Sequence, residues 1–446
     1  MRIVTLALVA AVLACGPPQA PSPPARHLVL VTVDTLRADR LGAYGSELAQ
    51  ESIVFRYAFA PAPFTLPSLT ALVTGRYPDA IGVRSNAAVL QPAVLTLAER
   101  LRSLGFRTGA VVSNFVARRQ SGLDQGFEHY DDRMHQREGQ RLMPERRAAR
   151  TTTDALALLD ELRDSGERVF LWVHYQDPHG PYTAPGEHRA QPGPPPPGVR
   201  DQQLPLLPAH HGYGGIPRYQ QLDRERHSSA YRAAYHAEIR FLDAQLGALF
   251  AGLRARGLWE ETALTVTADH GEGLGEEGHW FAHSELLSPA ETAVPLLLRV
   301  PGRGAAVRDD LASLLDLVPT LLSAVGAPVA EPSAEAPGRD LLARGAERGE
   351  SALLQSNLGE GIHARRALLR DGHQYEIVRS HDGRAGDVLR RLDGSEARDP
   401  ALRQQLRAEL RELEAQLARS PEVRQDLGEL DRARLQALGY LLGEEP

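Results

Sequence analysis

Acidic and imidazole side chains follow apolar runs at two places in the sequence. Asp34 follows a run that ends at Val33, and Asp269 and His270 follow one that ends at Ala268. Carboxylate oxygens and imidazole nitrogens bind divalent cations, and the glycines after His270 let the backbone approach a bound group closely. An isolated Asp in such a place is more often a helix cap or a turn residue. The two motifs together indicate candidate metal ligands.

A hydroxyl residue precedes a predicted helix in the segment 63–78. Thr65 lies just ahead of the helix, with Pro67 in its first turn and Gly75 near its end. This position faces the positive end of the helix dipole, where a tetrahedral oxyanion would also be held. Thr65 is therefore either a nucleophile beside such an anion or only the cap of the helix.

Histidines are concentrated in two further motifs, 172–182 and 279–283. The first contains His174 and His179 beside the end of a predicted strand, and the second ends with His283. Each of these histidines, taken alone, is more commonly a solvent-facing or capping residue. Their location near the metal and hydroxyl motifs favours a role in substrate contact or proton transfer.

Apolar, β-branched runs predict buried strands at 27–33, 108–113, 169–173, 263–268 and 295–300. Helical patterns lie between them at 95–104, 153–162, 231–256 and 309–325. This alternation predicts an α/β fold with a mostly parallel sheet between helices. Since reactive groups in such sheets lie beyond the carboxyl ends of the strands, we expect Asp34, Asn114, His174 and Asp269 at one edge.

Two segments rich in Pro and Gly interrupt this alternation. Residues 184–227 are predicted to form a long surface loop, and 327–349 a boundary. Beyond the boundary, turns at Asp371-Gly372 and Asp382-Gly383 predict a short antiparallel sheet, which charged helices follow. The predicted organisation is a signal peptide with lipobox over 1–15, a Pro-rich spacer over 16–26, a catalytic α/β domain over 27–330 and a smaller C-terminal α+β subdomain over 351–446.

The composition narrows the partners of this chain of 446 residues. Its net charge of −7 gives no general attraction to nucleic acid, and we predict no such partner. All 50 basic residues other than His are Arg, so no lysine serves in any active site here.

The N-terminus has the pattern of an exported lipoprotein. Arg2 precedes an apolar run that ends at Ala14, and the residues 12–15 resemble a bacterial lipobox with Cys15 as the lipid-anchor residue. We predict export to the cell envelope and a membrane anchor, with simple secretion and cleavage nearby as the alternative. Cys15 is the only cysteine, which excludes an intramolecular disulfide and a thiolate metal cluster.

Taken in order, the five motifs resemble the sulfatase branch of the alkaline-phosphatase superfamily, from about His27 to the C-terminus. The residues Thr74-Gly75-Arg76-Tyr77-Pro78 carry the strongest local match, and 435–441 is typical of one bacterial subgroup. The resemblance implies a divalent cation, Ca²⁺ in sulfatases, with Mn²⁺ or Zn²⁺ possible because of His270. The residue roles that it implies are metal binding by Asp34, Thr65, Asp269 and His270, catalysis by Thr65, His179 and His283, and substrate binding by Asn114, His174 and Arg76.

The chain departs from the sulfatase pattern at the nucleophile. Formylglycine formation requires Cys or Ser followed by x-Pro-x-Arg, whereas this chain has Thr65 at the first place and Leu69 at the last. No formylglycine is therefore expected. Thr35 also stands where many sulfatases have a second metal-binding Asp.

These observations predict a metal-dependent hydrolase of sulfate or phosphate esters in which the Thr65 hydroxyl, activated by the metal, is the nucleophile. The substrate would be an anionic ester. In one form of this hypothesis, the ester is linked to a glycan or a lipid. Two alternatives stay open. One is a phosphodiesterase or phosphotransferase that acts on a cell-envelope glycan or lipid, and the other is a catalytically silent surface binding protein with the same fold.

Overall fold

The computed structural model describes residues 23–40, 47–137, 143–164, 166–189, 191–208, 210–343, 352–355, 363–380 and 385–437. The predicted signal peptide with Cys15, the turn at Asp382-Gly383 and the last part of the C-terminal motif, 438–441, lie outside these residues.

The strands are, in chain order, β1 (His27–Val33), β2 (Ile53–Phe59), β3 (Phe106–Val112), β4 (His129–Asp131), β5 (Gln136–Arg137), β6 (Pro144–Glu145), β7 (Arg168–Tyr175), β8 (Thr262–Ala268), β9 (Gly273–Leu274), β10 (Trp280–Ala282), β11 (Leu296–Arg299), β12 (Ala306–Ser313), β13 (Ala352–Gln355), β14 (His363–Arg370), β15 (His373–Ser380) and β16 (Ala385–Arg391). The α-helices are α1 (Thr65–Thr74), α2 (Pro78–Ile81), α3 (Leu97–Ser103), α4 (Ala148–Arg163), α5 (Ser228–Ala255), α6 (Pro289–Thr292), α7 (Leu317–Ala324), α8 (Pro400–Gln416) and α9 (Glu429–Ala437).

Eight strands form one central sheet in the order β12-β2-β11-β8-β1-β7-β3-β4. Its neighbours pair in parallel, except that β11 is antiparallel to both β2 and β8. Every residue of β1 and β8 is buried, as the continuous apolar runs predict for strands that are covered on both faces. The predicted α/β fold with a mostly parallel sheet is confirmed.

The helix predicted over 309–325 is wrong in its first part. Residues Ala306–Ser313 form β12, which pairs in parallel with β2, and helix α7 begins only at Leu317. No strand was predicted at β2, so β12 had no predicted partner. The pairing of the edge strand β12 with its neighbour β2 therefore outweighs the local helical pattern.

The C-terminal part forms the predicted α+β subdomain. The strands β13-β14-β15-β16 make an antiparallel sheet, and Leu406 and Leu410 of α8 are buried against it. The predicted turn at Asp371-Gly372 joins β14 to β15, and both residues have positive φ angles, 48° and 75°. Positive φ at both central positions matches the right-handed twist of a hairpin.

None of the helices in the described ranges combines the length and the apolar character that crossing a bilayer requires.

Candidate active site

Four predicted site residues lie at the carboxyl ends of four adjacent central strands, β8, β1, β7 and β3. Asp269 directly follows β8 and Asp34 directly follows β1, while His174 is next to last in β7 and Asn114 comes two residues after β3. The strand β1 lies between β7 and β8, which come from distant parts of the chain. Ligands bind at such points in open α/β sheets, where the connections leave in opposite directions.

Three buried carboxylate and imidazole atoms at this edge have no hydrogen-bond partner in the part of the chain that the structure describes. They are Asp34 Oδ1, Asp269 Oδ2 and His174 Nε2. These three groups lie within 4.8 Å of one another. A buried polar atom without a partner costs free energy, and a divalent cation would satisfy all three at once. The residues present therefore fit a metal ion.

The electrostatics of the two carboxylates lead to the same conclusion. Burial raises the pKa of Asp34 well above its ordinary value, and the hydrogen bond from Asn114 only partly opposes this rise. Burial also raises the pKa of Asp269, and the nearby charge of Asp34 raises it further. Two like charges in a buried site destabilise each other, and a bound cation removes that cost.

His270 adds a fourth group to this cluster. Its Nε2 lies 3.6 Å from Asp34 Oδ1 and 3.7 Å from Asp269 Oδ2, too far for hydrogen bonds. Its Nδ1 is 2.9 Å from the carbonyl oxygen of Gly271, which only accepts, so the neutral ring carries its proton on Nδ1. The lone pair of Nε2 therefore faces the two carboxylates. Burial also lowers the pKa of His270 well below its ordinary value, which keeps the ring neutral.

The structure brings His174 to the carboxylates, although it was predicted to bind substrate. The register pairs His174 with Thr32 of β1, and its Nδ1 lies 2.8 Å from the Thr32 hydroxyl. The indole of Trp172 donates a hydrogen bond to the same hydroxyl at 2.9 Å. Burial lowers the pKa of His174 to about 3. This neutral, oriented imidazole is a further candidate metal ligand, because its Nε2 has no hydrogen-bond partner among the described residues and the ring lies beside Asp34 and Asp269.

Thr65 is the first residue of α1 and not its cap. The cap position belongs to Phe64, which has no side-chain capping hydrogen bond. The buried Thr65 Oγ1 lies 3.5 Å from His270 Nε2, at the edge of the ligand cluster. The first turn of α1 is fixed there because the Ser68 hydroxyl donates to the carbonyl oxygen of Asp269 at 2.6 Å.

Two more histidines lie next to this cluster. The ring centroid of His283 is 4.6 Å from that of His270 and 5.2 Å from that of His179. His179 and His283 retain 7% and 8% exposure, whereas His270 retains none, so the former two lie on the more accessible side of the cluster. Both histidines therefore stay candidates for contact with a leaving group.

Sequence reasoning missed the residues that hold His283. Its Nδ1 is 3.2 Å from Glu272 Oε1, and the Tyr182 hydroxyl donates to Glu272 Oε2 at 3.0 Å. Burial raises the pKa of Glu272 to about 8, and the hydrogen bond from Tyr182 opposes the rise. Tyr182 lies in the motif 172–182 and Glu272 lies two residues after His270, but no spacing indicates that segments 90 residues apart meet.

Two predicted substrate contacts have other partners in the structure. Asn114 donates from Nδ2 to Asp34 Oδ2 and accepts at Oδ1 from the Val116 amide, so it orients a metal ligand. Arg76 follows the carboxyl end of α1, about 15 Å from the start of this ten-residue helix, where it pairs with Glu335 at 3.0 Å. The length of the helix therefore places Arg76 away from the cluster of candidate metal ligands, and its contact with substrate stays a prediction.

The comparison with protein-family models identifies the family. The sulfatase model matches residues 26–327, about two thirds of the chain. The chain belongs to the sulfatase family. Iduronate 2-sulfatase of Mus musculus is 26% identical over 398 residues, which cover 68% of this chain and 69% of that enzyme. Choline-sulfatase of Rhizobium meliloti is 25% identical over 415 residues, which cover 76% and 73% of the two chains.

Solved structures with the sulfatase fold resemble the whole described architecture. One, solved in complex with its substrate D-glucosamine-2-N,6-O-disulfate, has a TM-score of 0.70 at 16% identity and covers 88% of this chain and 98% of its own. A phosphonate monoester hydrolase from Silicibacter pomeroyi has a TM-score of 0.64 at 19% identity and covers 87% and 94%. At such identities the likeness concerns the fold. Together with the family match, it makes this sulfatase-family chain a hydrolase of ester bonds.

Proposed function

We propose that this chain hydrolyses phosphate monoesters or diesters, with the Thr65 hydroxyl as nucleophile beside a bound divalent cation. The observation that carries the proposal is the position of Thr65 Oγ1, which lies 3.5 Å from His270 Nε2. Because the cap position of α1 belongs to Phe64, the buried hydroxyl has no capping role that would account for its place.

The type of nucleophile favours phosphorus over sulfur. A sulfatase with formylglycine uses a hydrated aldehyde, and a threonine side chain cannot be converted to that aldehyde. The motif around Thr65 also has Leu69 where the formylglycine-generating system requires Arg. A threonine oxygen forms a phosphoester that water can hydrolyse later, as in other covalent phosphoryl-transfer routes.

The residues that would hold the cation are Asp34, Asp269, His174 and His270, with Thr65 next to them. When bound, the cation supplies a positive charge that lowers the pKa of a neighbouring hydroxyl and stabilises the oxygens of the ester. Two imidazoles beside two carboxylates favour Mn²⁺ or Zn²⁺ over Ca²⁺, which prefers oxygen ligands only. Metal analysis of the purified protein tests this assignment.

The reaction has two steps. In the first, Thr65 Oγ1 loses its proton to solvent and attacks phosphorus, and the bond from phosphorus to the leaving oxygen breaks. His283 or His179 gives a proton to that oxygen. A monoester leaves a phosphothreonine, and a diester leaves a phosphothreonine that still carries its second ester group. In the second step, water attacks phosphorus and the bond to Oγ1 breaks, which restores the hydroxyl. Acceptance by an alcohol in place of water would make the chain a transferase.

Acid quenching and mass spectrometry test the proposal. We expect an added phosphoryl group on the peptide that contains Thr65 after reaction with 4-nitrophenyl phosphate, and an added 4-nitrophenyl phosphoryl group after reaction with bis(4-nitrophenyl) phosphate. A parallel assay with 4-nitrophenyl sulfate measures the sulfatase alternative. If Thr65→Ala turns over and the wild type gives no adduct, the nucleophile is a water molecule and not Thr65. No turnover of any ester by metal-loaded protein would support the silent binding protein.

Export and anchoring form a second part of the proposal. The apolar run and the lipobox-like residues before Cys15 support a lipid-anchored protein at the cell envelope. The test is fractionation of Cys15→Ser in detergent-free buffer. We expect this variant to leave the membrane fraction or to stay unprocessed, and continued membrane association of a processed variant would refute the anchor.

A further inference from the structure

Three imidazoles lie in a row that begins at the candidate metal ligand His270 and continues through His283 to His179, and they are held in two different ways. His179 and His270 each direct Nδ1 to the carbonyl oxygen of the next residue, at 2.7 Å and 2.9 Å. His283 directs Nδ1 to the side chain of Glu272 at 3.2 Å. His283 is therefore the member of this row that depends on a residue eleven positions away for its orientation.

The backbone around His283 does not favour its conformation. Phe281 and Ser284, on either side of it, have φ angles of 50° and 83°, in the left-handed region that non-glycine residues rarely adopt. Such strain persists only where surrounding contacts fix the segment. The Tyr219 hydroxyl supplies one of these contacts by donating to the Phe281 carbonyl oxygen at 3.0 Å.

Glu272 is fixed from three sides. The Tyr182 hydroxyl donates to Oε2 at 3.0 Å, and the guanidinium of Arg37 donates to the Glu272 carbonyl oxygen at 2.8 Å. The Glu272 amide donates to the Ala290 carbonyl oxygen at 3.0 Å. Both Glu272 and Tyr182 are buried, so their hydrogen bond lies in a region of low dielectric, where it is stronger than at the surface.

The geometry points to Glu272 as the positioning residue of His283, with Tyr182 as the outer support. With Nδ1 held by Glu272, the His283 ring can act on the leaving oxygen through Nε2. The bond survives in either protonation state of Glu272, because a carboxylate accepts from Nδ1–H and a carboxylic acid donates to a bare Nδ1. This role is comparable to that of the carboxylates that orient catalytic histidines in other enzymes.

This inference rests on the proposed function, in which His283 protonates the leaving oxygen. An alkyl leaving group needs that proton, whereas 4-nitrophenolate departs without much help. If the His283 ring loses its orientation, the rate for an alkyl ester should therefore fall, whereas the rate for the nitrophenyl ester should change little. A mere structural role of Glu272 would lower both rates together.

The experiment compares kcat/KM for methyl and 4-nitrophenyl esters of the same phosphate class. For Glu272→Leu, which removes both side-chain hydrogen bonds, we expect a loss of about 100-fold on the methyl ester. The loss on the nitrophenyl ester should be less than about fivefold, with an unchanged metal content. Glu272→Gln should restore most of the rate, because its carbonyl accepts from Tyr182 and its amide donates to His283.

A double variant protects the test against misfolding. Glu272→Leu leaves the buried Tyr182 hydroxyl without an acceptor, and Tyr182→Phe in the same chain removes that cost. Equal losses on both esters, or a Glu272→Gln as poor as Glu272→Leu, would overturn the positioning role. A Thr65 adduct that persists in these variants would leave the proposed nucleophile intact, so the two hypotheses can fail separately.

Discussion

Buried charges are arranged in two different ways in the two largest sheets of the described structure. In the C-terminal sheet, the buried carboxylate of Glu376 lies 2.7 Å from the guanidinium of Arg365 and 2.8 Å from that of Arg390. At the edge of the central sheet, Asp34 and Asp269 are equally buried but meet each other and two neutral imidazoles. The first group is neutralised by the protein itself, and the second is not.

This difference separates structural from functional charge. A buried ion pair that is complete within the chain fixes a conformation, and breaking it costs stability. A buried cluster of acceptors without a cation costs stability as it stands, and a ligand must supply what is absent. Binding of a cation by Asp34, Asp269, His174 and His270 would therefore stabilise the folded chain. Variants at the two places should have opposite effects, and four predictions test this contrast.

The largest effect should come from Asp269→Asn. The amide keeps the acceptor that binds the Thr35 and His270 amides but removes the charge that holds the cation. We expect loss of bound metal and a fall of about 10⁴-fold in kcat/KM, measured by metal analysis and phosphate-ester assays. Chelation should lower the melting temperature of the wild type and not that of this variant. Full metal stoichiometry in the variant would remove Asp269 from the ligand set.

The next effect concerns Thr65, which touches the cluster without contributing charge. We expect Thr65→Ala to lose about 10³-fold or more in kcat while it retains metal, because only the covalent route is removed. Thr65→Ser keeps the hydroxyl and should retain measurable turnover. Near-normal turnover of Thr65→Ala, with a stability loss of about 1 kcal/mol, would reduce Thr65 to a helix-terminal residue.

In the C-terminal sheet, Glu376→Gln should lower stability and not catalysis. It leaves the guanidiniums of Arg365 and Arg390 without their buried counter-charge, at a cost of about 3 kcal/mol. Denaturant titration measures the free energy of unfolding, and kcat at low temperature is expected to stay within about twofold of wild type. A loss of activity without a loss of stability would contradict the structural interpretation of this pair.

The smallest expected effect is an increase in the free energy of unfolding, in contrast to the decrease expected for Glu376→Gln. Asp34→Asn keeps an acceptor for the Asn114 amide and removes one of the two buried like charges. In the metal-free state we expect a gain of about 1 kcal/mol in the free energy of unfolding. The gain should disappear in comparison with metal-loaded wild type. A variant less stable than the wild type under chelation would show that Asp34 is already compensated within the chain.

Local patterns in the sequence correctly predicted the strands at whose ends the candidate metal ligands lie. Continuous apolar runs identified the strands that carry Asp34 and Asp269, because strands covered on both faces admit few polar residues. The hairpin at Asp371-Gly372 also followed from local chemistry, since such turns require residues that tolerate positive φ. Local residues did not predict the strand Ala306–Ser313, because its conformation comes from pairing with β2, which lies about 250 residues earlier.

The sequence by itself determined which residues stand at the ends of the strands, and with them the family and most of the candidate ligands. Only the tertiary structure decided what each of them faces. The pairing of β1 with β7 places His174 beside the carboxylates of Asp34 and Asp269. The length of α1 places Arg76 far from these carboxylates. Glu272 met His283 through the fold of a strained turn. Motif spacing fixes positions along the chain, but side-chain partners depend on strand register and helix length, which are set when distant segments pack.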